Sequence, residues 1–406
     1  MNINRIARFE KKSTNNVTYI MTSTYRILDN HSLFYAKNTY ETINIVIYRR
    51  LEFDRQNFFF DSFIGDLSSK LRQFGNVEIV YNLEDIPLYN DVVTDKGYLK
   101  EELLTENYII DNNKFSTTVI ESNVSVPVLV TSKKEEYAAR TIRNKIHKNL
   151  YSFIDPVLEE YETSSIEKEA LEQAKEFVFN RLENYNLKNH PENEYTSNLS
   201  VYLKYGNISP IRLIILLEDT PFLLKESFID ELIVRRELSY NFVYYNSKYY
   251  DFKHMTYSWA YLTMDKHLDD KREYIYTVND YINFRTIDPY FNAAMKSMVI
   301  LGKMHGYMRM YWCKKIIEWS SDYKSAYETA IYLNNHYFLD GNTPNAYAGV
   351  AWCFGKHDRA WKERPIFGKI RYMASSGLKR KFDMEKYLLK IEKETYSYGK
   401  QTNNSY

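Results

Sequence analysis

The chain has 406 residues, 54 Lys and Arg against 53 Asp and Glu, and 44% hydrophobic residues. This length predicts two domains with separate cores, and the net charge of +1 confines any nucleic-acid site to a local basic patch. Two cysteines without CxxC spacing, Cys313 and Cys353, exclude a disulfide framework or a structural zinc cluster. The chain shows no transmembrane-length apolar run and no secretory segment, so we expect it inside the cell.

The N-terminal part reads as alternating strands and helices. Residues 1–16 are polar and are expected to form a frayed tail. An amphipathic helix closed by glycine is predicted over residues 61–75. Strands are predicted at VTYIM (17–21), INIVIY (43–48), VEIVY (77–81), YIID (108–111) and PVLV (127–130). Because strands that alternate with helices favour a parallel sheet, residues 17–131 are predicted to form a small Rossmann-like α/β domain.

The remainder of the chain has helical periodicity almost throughout. Residues 132–165 include an acidic, polar stretch and are predicted to connect the two domains. Residues 166–400 are predicted to form an all-helical domain, interrupted by loops at 186–195 and 339–356.

Two C-terminal stretches are dense in tryptophan and arginine: GKMHGYMRMYWCKKIIEW (302–319), and LDGNTPNAYAGVAW with HDRAWKERPIFGKIRYM (339–373). Together they resemble the catalytic domain of class II cyclobutane pyrimidine dimer photolyases, members of the photolyase/cryptochrome family. The resemblance implies a Rossmann-like N-terminal domain, here shortened, and an all-α C-terminal domain that binds FAD. It also implies an enzyme, a carbon–carbon lyase that uses light to repair cyclobutane pyrimidine dimers in damaged DNA.

The segment TSNLSVYLKYGNIS (196–209) supplies hydroxyl and amide donors at a helix start, which suits an anion but is typical of ordinary helix caps as well. The resemblance implies that this segment and its neighbourhood bind the FAD diphosphate, through Tyr185, Thr196, Ser197, Leu199 and Ser200. It further implies that Arg309 and Asp340 flank a reduced, anionic hydroquinone flavin, with Asn334 and Asn345 near its reactive face. Thr343 replaces a family aspartate, so we expect weaker anchoring of that loop.

Glu231 and Arg235 share a helix face by i,i+4 spacing, a pattern typical of a surface ion pair. The resemblance makes Glu231 the acid that hydrogen-bonds the lesion, with Met310 and Trp352 as lesion contacts. Duplex DNA is held by its phosphates. The predicted phosphate contacts are Lys188, Arg235, Arg359, Lys369 and Arg371, with Lys379–Lys381 at the rim.

Trp312 and Trp319 are seven residues apart and so lie about 10.5 Å apart along one helix face, a spacing common in buried stripes. The resemblance implies an electron relay through them. Phe291 stands where the family has the intervening tryptophan, and phenylalanine is hard to oxidise. Tyr276 or Tyr290 is a candidate substitute, and we expect slow photoreduction with repair intact.

The leading functional hypothesis is therefore light-driven DNA repair by a monomer that needs neither a metal nor a membrane, in cytoplasm, nucleus or a viral particle. An antenna chromophore stays open, because the first strand and loop depart from the family at Ile20, Ser23, Thr24 and His31. Two alternatives remain: a cryptochrome-like photoreceptor, disfavoured by the retained lesion residues, and a decayed homologue that binds DNA without repair.

Overall fold

The computed structural model describes residues 1–403, with side chains through residue 400, and divides into two compact units. The first unit consists of Met1–Glu183 and Ser197–Ser247, and the second consists of Asn184–Thr196 and the chain from Lys248 onward. In residues 1–403 no helix is both long enough and apolar enough to cross a membrane.

A six-stranded sheet organises the first unit. Its strands are β1 (Ile6–Phe9), β2 (Asn16–Met21), β3 (Thr42–Tyr48), β4 (Asn76–Val80), β5 (Asp91–Asp95) and β6 (Thr117–Ile120). They lie in the order β1-β6-β5-β2-β3-β4, and only the pair β1 and β6 is antiparallel. In the central strand, Val17 lies opposite Ile43 on one side and Asp91 on the other. Helical crossovers put the parallel strands in register and cover the sheet, which explains why β2 is buried almost throughout.

Helices of the first unit cover the sheet and continue beyond it. They are α1 (His31–Thr39), α2 (Asp54–Leu71), α3 (Lys100–Asn112), α4 (Val128–Thr131), α5 (Ala139–Leu150), α6 (Ser165–Asn180), α7 (Ser200–Lys204), α8 (Pro210–Leu216), α9 (Phe222–Ile229) and α10 (Arg236–Tyr245). A π-helical turn, Asp230–Arg235, joins α9 to α10. The core beneath α1 and α2 packs Leu33, Phe63 and Leu67 against Tyr19 and Ile45 of the sheet.

The second unit is helical. Its helices are α11 (Ser258–Lys266), α12 (Val278–Ile282), α13 (Pro289–Lys296), α14 (Gly306–Trp319), α15 (Tyr323–Tyr337), α16 (Pro344–Cys353), α17 (Ser375–Lys381) and α18 (Met384–Asn403). α14 is largely buried, and it packs against α13, α15 and α16. A second π-helical turn, Ser297–Leu301, ends at Gly302, whose left-handed φ of 70° terminates the helix that begins with α13. A sheet-bearing α/β region followed by a helical region confirms the predicted fold class.

Several predicted elements are confirmed and others are wrong. The strands at 17–21, 43–48 and 77–81 are β2, β3 and β4, and the predicted helix at 61–75 is α2, which begins and ends earlier. The strand predicted at 108–111 lies inside α3 instead, where Thr105 and Ile109 form the buried face at helical spacing. The strand predicted at 127–130 overlaps the short helix α4. Strands β5 and β6 escaped prediction because threonine and aspartate make half of their residues polar.

The expected frayed tail is also wrong, because it contains a 3-10 turn, Ile3–Arg5, and strand β1. The Arg5 guanidinium is fully buried and donates to the carbonyls of Glu121, Val124, Ser125 and Phe153 at 2.9–3.0 Å. Three of these bonds anchor the start of the chain to the segment that follows β6, and the fourth joins it to the 3-10 turn Tyr151–Phe153. The loop predicted at 339–356 contains α16, for which Pro344 at the first position is a good start. The domain boundaries at 131, 165 and 400 stay predictions.

Candidate active site

In the first unit, the π-helical turn at Glu231 creates a small ion-pair cluster. Arg235 Nε lies 3.3 Å from Glu231 Oε1, so the predicted i,i+4 pair is present. The wider π turn also places Arg235 beside Asp230, at 3.1 Å. Asp230 Oδ1 accepts two further bonds from Arg143 of α5, at 2.9 and 2.6 Å. Single π turns within helices occur often at functional sites, and this one presents a carboxyl that keeps about a third of its surface exposed.

The segment predicted to bind a diphosphate leads into α7 of the first unit. Asn198 adopts a left-handed φ of 58°, which turns the chain into the helix. Ser197 accepts a bond from Gln173 through its carbonyl, and its Oγ accepts the Leu199 N–H at 3.4 Å. Leu199 is buried and fixes the segment, whereas Ser200 is exposed at the first position of α7. The local fold therefore presents hydroxyls and amides to the surface of this unit.

Three predicted residues from the neighbouring stretch belong to the second unit: Tyr185, Lys188 and Thr196. Tyr185 is buried in a 3-10 turn, and Lys188 Nζ lies 5.0 Å from the centre of its ring. This cation–π contact holds Lys188 close to its predicted neighbour. Thr196 is half-buried at the end of the stretch.

Arg309 and Asp340 form the strongest polar pair among the predicted cofactor residues. One guanidinium nitrogen of Arg309 bonds both carboxylate oxygens of Asp340, at 2.9 and 3.0 Å, while Nε donates to the Met304 carbonyl. The guanidinium lies 3.9 Å from the centre of the Phe338 ring. Thr343 caps α16 by accepting the Ala346 N–H at 3.2 Å and donates to the Asp340 carbonyl. Arg309 is thus held by a carboxylate and an aromatic face, and its carboxylate partner sits on a capped loop.

Asn334 and Asn345 lie on α15 and α16 of the same unit. Asn334 is only 5% exposed, and its side-chain oxygen has no hydrogen-bond partner in the described chain. A buried amide oxygen without a partner costs about 1–3 kcal/mol, so it marks a position where a bound group can supply the donor. Asn345 is exposed in the first turn of α16.

Trp352, the predicted lesion wall, lies near the end of α16 between two cations. Lys314 Nζ lies 5.4 Å and Arg371 Cζ 5.2 Å from the indole ring. Lys314 is fully buried and donates to the Cys353 carbonyl at 2.5 Å, so it caps the C-terminus of α16. Burial lowers the pKa of the Lys314 ammonium. Two anchored cations thus hold the indole while part of its surface stays exposed.

Met310, the other predicted lesion contact, is half-buried on α14. Its carbonyl lies 4.0 Å from Cys353 Sγ, the residue that follows Trp352. The structure therefore brings the Met310 backbone next to the end of the helix that carries the indole.

The two predicted relay tryptophans lie on α14 and are almost completely buried, Trp312 at 1% and Trp319 at 4% exposure. Trp312 donates its indole N–H to the sulfur of Met295 at 3.0 Å. Phe291, one turn earlier on α13, packs edge-on against Trp319 with ring centres 5.2 Å apart. The groups that face the two tryptophans from α13 are thus a thioether and a phenyl ring.

Tyr276 contacts Trp319 on another side. The two ring centres lie 5.3 Å apart, and the Tyr276 hydroxyl accepts the Ile287 N–H at 3.0 Å. Tyr274 stacks on Tyr276 at 6.0 Å. Tyr290, the other substitute considered, is buried, and Lys379 lies 5.8 Å from its ring centre. The described contacts therefore connect Trp319 with Tyr276 and not with Tyr290.

The predicted DNA contacts near residue 365 surround one indole ring, that of Trp361. Arg371 lies 4.1 Å and Arg359 4.9 Å from its centre. Arg371 is also paired with Asp358, at 2.9 and 3.3 Å, and this lowers the pKa of the Asp358 carboxyl beyond the opposing effect of burial. Arg359 and Lys369 are exposed and make no ion pair with the described residues.

Reading the sequence missed the residues that hold these groups in place: Asp230, Met295, Lys314, Phe338 and Asp358. Asp230 and Arg143 are 87 positions apart, and Lys314 and Cys353 are 39 apart. The spacing of residues within one segment does not predict contacts between segments so far apart in the sequence. One local feature does point to such a contact: Lys314 and Lys315 lie in a largely apolar helix, and lysine is almost never fully buried without a partner.

Comparison with known proteins places these features in a family. The chain is 38% identical over 422 residues to the deoxyribodipyrimidine photo-lyase of Methanothermobacter thermautotrophicus, covering 92% of this chain and 94% of the relative. A class III photolyase from Agrobacterium tumefaciens has a similar structure, with a TM-score of 0.71, 15% identity and coverage of 94% of this chain and 87% of that one. A cryptochrome from Synechocystis sp. PCC6803 is similar at a TM-score of 0.74 and 13% identity, with 93% and 88% covered. No protein-family model matches the chain.

Proposed function

The chain belongs to the photolyase/cryptochrome family, and we propose that it uses light to repair cyclobutane pyrimidine dimers in DNA. The observation that carries the proposal is the 38% identity to a deoxyribodipyrimidine photo-lyase along nearly the whole length of both chains. Similarity of fold alone does not separate repair from signalling, because photolyases and a cryptochrome are similar to this chain to the same degree.

FAD is the cofactor that these residues fit. Bound reduced FAD supplies, after it absorbs light, the electron that splits the dimer. Arg309 presents a guanidinium fixed by Asp340 and favours negative charge next to it. The Asn334 side-chain oxygen, buried without a partner among the described residues, would accept a hydrogen bond from a donor of the bound cofactor. In the first unit, the hydroxyls of Ser197 and Ser200 and the amides at the start of α7 would supply donors to a diphosphate.

Trp352 of the second unit and Glu231 of the first are the proposed lesion contacts. Trp352 offers an indole face that Lys314 and Arg371 keep in position, and a base extruded from the duplex stacks on it. Glu231 hydrogen-bonds the carbonyl edge of the dimer and stabilises the charge that develops there. Arg235, which pairs with Asp230 and Glu231 and is more than half exposed, is a proposed phosphate contact. The enzyme acts as a monomer on ultraviolet-damaged DNA.

We further propose that the chain is a class II photolyase. The support is the pair of C-terminal stretches rich in tryptophan and arginine, together with Glu231, Met310 and Trp352. The relay departs from that class at Phe291, so electrons reach Trp312 from Trp319 slowly, and Tyr276 is the next donor in contact.

We propose that the sheet domain holds no antenna chromophore at the edge where ligands bind in such sheets, outside the carboxyl ends of β2 and β5. The support is Asp95, the last residue of β5. One of its oxygens accepts the N–H groups of Thr22, Ser23 and Thr24 at 3.0–3.1 Å. These three amides would otherwise face an incoming phosphate or carboxylate.

The test of this function is repair by the Glu231→Gln variant of chemically reduced protein. We expect Glu231→Gln to bind FAD normally and to repair thymine dimers in an oligonucleotide much more slowly under light. Glu226→Gln, which changes an exposed acid on the preceding helix, is the matched control and should repair like the unchanged protein. Equal repair by both variants would remove Glu231 from the mechanism. Absence of repair by the unchanged protein would overturn the function itself.

A further inference from the structure

A short hairpin, Trp361–Lys369, carries part of the proposed DNA-binding surface, and its tip is strained. The Trp361 N–H donates to the Lys369 carbonyl, and Arg364 and Gly368 exchange two backbone bonds of 2.8 and 2.9 Å. At the tip, Ile366 adopts a left-handed φ of 66°. A β-branched residue in this region is a clear outlier that persists only where its surroundings impose it.

Side chains on α11, just beyond α11 and on α15 hold this conformation by hydrogen bonds to the hairpin backbone. Asp270, just beyond α11, accepts the Ile366 N–H at 2.6 Å. The Tyr323 hydroxyl of α15 donates to the Ile366 carbonyl at 2.6 Å. Thr263 of α11 accepts the Lys369 N–H at 2.9 Å. Both polar groups of the strained residue are therefore held from outside the hairpin.

His267, which ends α11, connects these anchors. Its Nδ1 lies 2.7 Å from the same Asp270 oxygen that holds Ile366, and its Nε2 lies 2.9 Å from Glu363 Oε1 on the hairpin. Carboxylate oxygens only accept hydrogen bonds, and a neutral imidazole has a single N–H. Both short contacts are satisfied together only by the imidazolium, which donates from each nitrogen. The geometry thus requires a positive charge at His267.

We propose that His267 is a positioning residue for DNA binding: its imidazolium clamps Glu363 and Asp270 and so fixes the hairpin that lies between Arg359 and Arg371. This inference rests on the proposed function. Clamping has two consequences. First, the clamp keeps the strained tip in one conformation. Second, it draws the Glu363 carboxylate toward α11. The negative charge is then farther from the phosphates that the neighbouring cations would bind, namely Lys362, Arg364 and Lys369.

The clamp has a defined pH dependence. The hydrogen bonds that His267 donates to Glu363 and then to Asp270 raise its pKa, while partial burial opposes them. The same contacts with Lys266 and His267 lower the pKa of Glu363 to about 2, so this carboxylate stays charged. The clamp is complete below about pH 6.5 and is lost as pH rises through the raised pKa of His267. The other charged or titratable groups near the imidazole are Asp265, Lys266, Asp270, Arg272 and Tyr323.

The experiment compares His267→Gln with the unchanged holoenzyme by fluorescence anisotropy of a dimer-containing oligonucleotide between pH 6 and 9. We expect His267→Gln to bind several-fold more weakly at pH 6.5 and to lose most of the pH dependence, with the repair yield at saturating DNA unchanged. Lys266→Met is the matched control. It removes an exposed lysine from the same Glu363 oxygen without touching the hairpin backbone, and such exposed pairs contribute little.

A second measurement does not require DNA. Trypsin should cut after Lys362 and Lys369 faster in His267→Gln than in the unchanged protein, and faster at pH 9 than at pH 6.5 in the unchanged protein relative to a reference substrate. Equal affinity, equal pH profile and equal cleavage in His267→Gln would overturn the clamp. If the unchanged protein shows no preference for damaged DNA while the cleavage difference persists, the proposed function fails and the clamp stands.

Discussion

Replacing Arg359 by alanine tests whether exposed cations near Trp361 hold DNA phosphates. Arg359 makes no ion pair with the described residues, so its charge is available to neutralise one phosphate. Each such contact changes the slope of log affinity against log salt concentration by about 0.9. Arg371 differs, because Asp358 holds it through two bonds and the pair carries no net charge. We therefore expect a full change in slope for Arg359→Ala and a smaller one for Arg371→Ala, because Asp358 already offsets part of the Arg371 charge.

The size of the expected loss of salt dependence follows from the same slope of log affinity against log salt concentration. When the salt concentration rises from 50 to 200 mM, both proteins should lose affinity for DNA. The loss for Arg359→Ala should be about 3.5-fold smaller than the loss for the unchanged protein. The assay is anisotropy of a labelled duplex with one thymine dimer, titrated at five salt concentrations in the dark. Lys175→Ala, which removes an exposed charge from α6, controls for net charge. A phosphate contact at Arg359 is refuted if Arg359→Ala keeps the full slope, or if Arg371→Ala loses as much slope as Arg359→Ala.

Three further outcomes are expected. Asp340→Asn should weaken FAD retention by about 1.5–3 kcal/mol, since it removes a charged partner of Arg309; dialysis followed by absorbance at 450 nm measures this. Phe291→Trp should photoreduce faster than the unchanged protein or Phe291→Leu, although the larger ring costs about 1–3 kcal/mol of stability at a fully buried position. Met295→Leu should lower the free energy of unfolding in urea by about 1–3 kcal/mol because the buried Trp312 N–H loses its acceptor.

The sequence predicted those parts of the fold that repeat a local pattern. The strands at 17–21 and 43–48 were correct because their residues are largely apolar, as parallel strands buried on both faces require. The strand at 77–81 lies at the edge of the sheet and was correct because its apolar and polar residues alternate. The segment 108–111 has the same composition but belongs to α3, since its burial recurs every fourth residue over a longer window. Strand β1 was missed because one buried arginine, bonded to carbonyls more than 100 positions away, holds the start of the chain in place.

In the candidate site, too, local pairs of residues were predictable and contacts between distant segments were not. Residues that lie one helical turn apart, such as Glu231 and Arg235, were paired from spacing alone, and the structure contains that pair. Their environment was not predictable, because it depends on contacts between distant segments. The π turn that adds Asp230, the buried Lys314 beneath Trp352 and the Met295 sulfur at Trp312 are examples. The sequence shows which residue is present, but these contacts determine how its side chain is oriented and which charges lie beside it.

The measurement that tests the account most directly is restoration of thymine dimers in a defined oligonucleotide by chemically reduced, FAD-loaded protein, with matched samples in blue light and in darkness. We expect that both thymines are recovered in light, that none are recovered in darkness, and that the protein turns over repeatedly without a net change in its redox state. Bound FAD without any light-dependent recovery of thymine would contradict it.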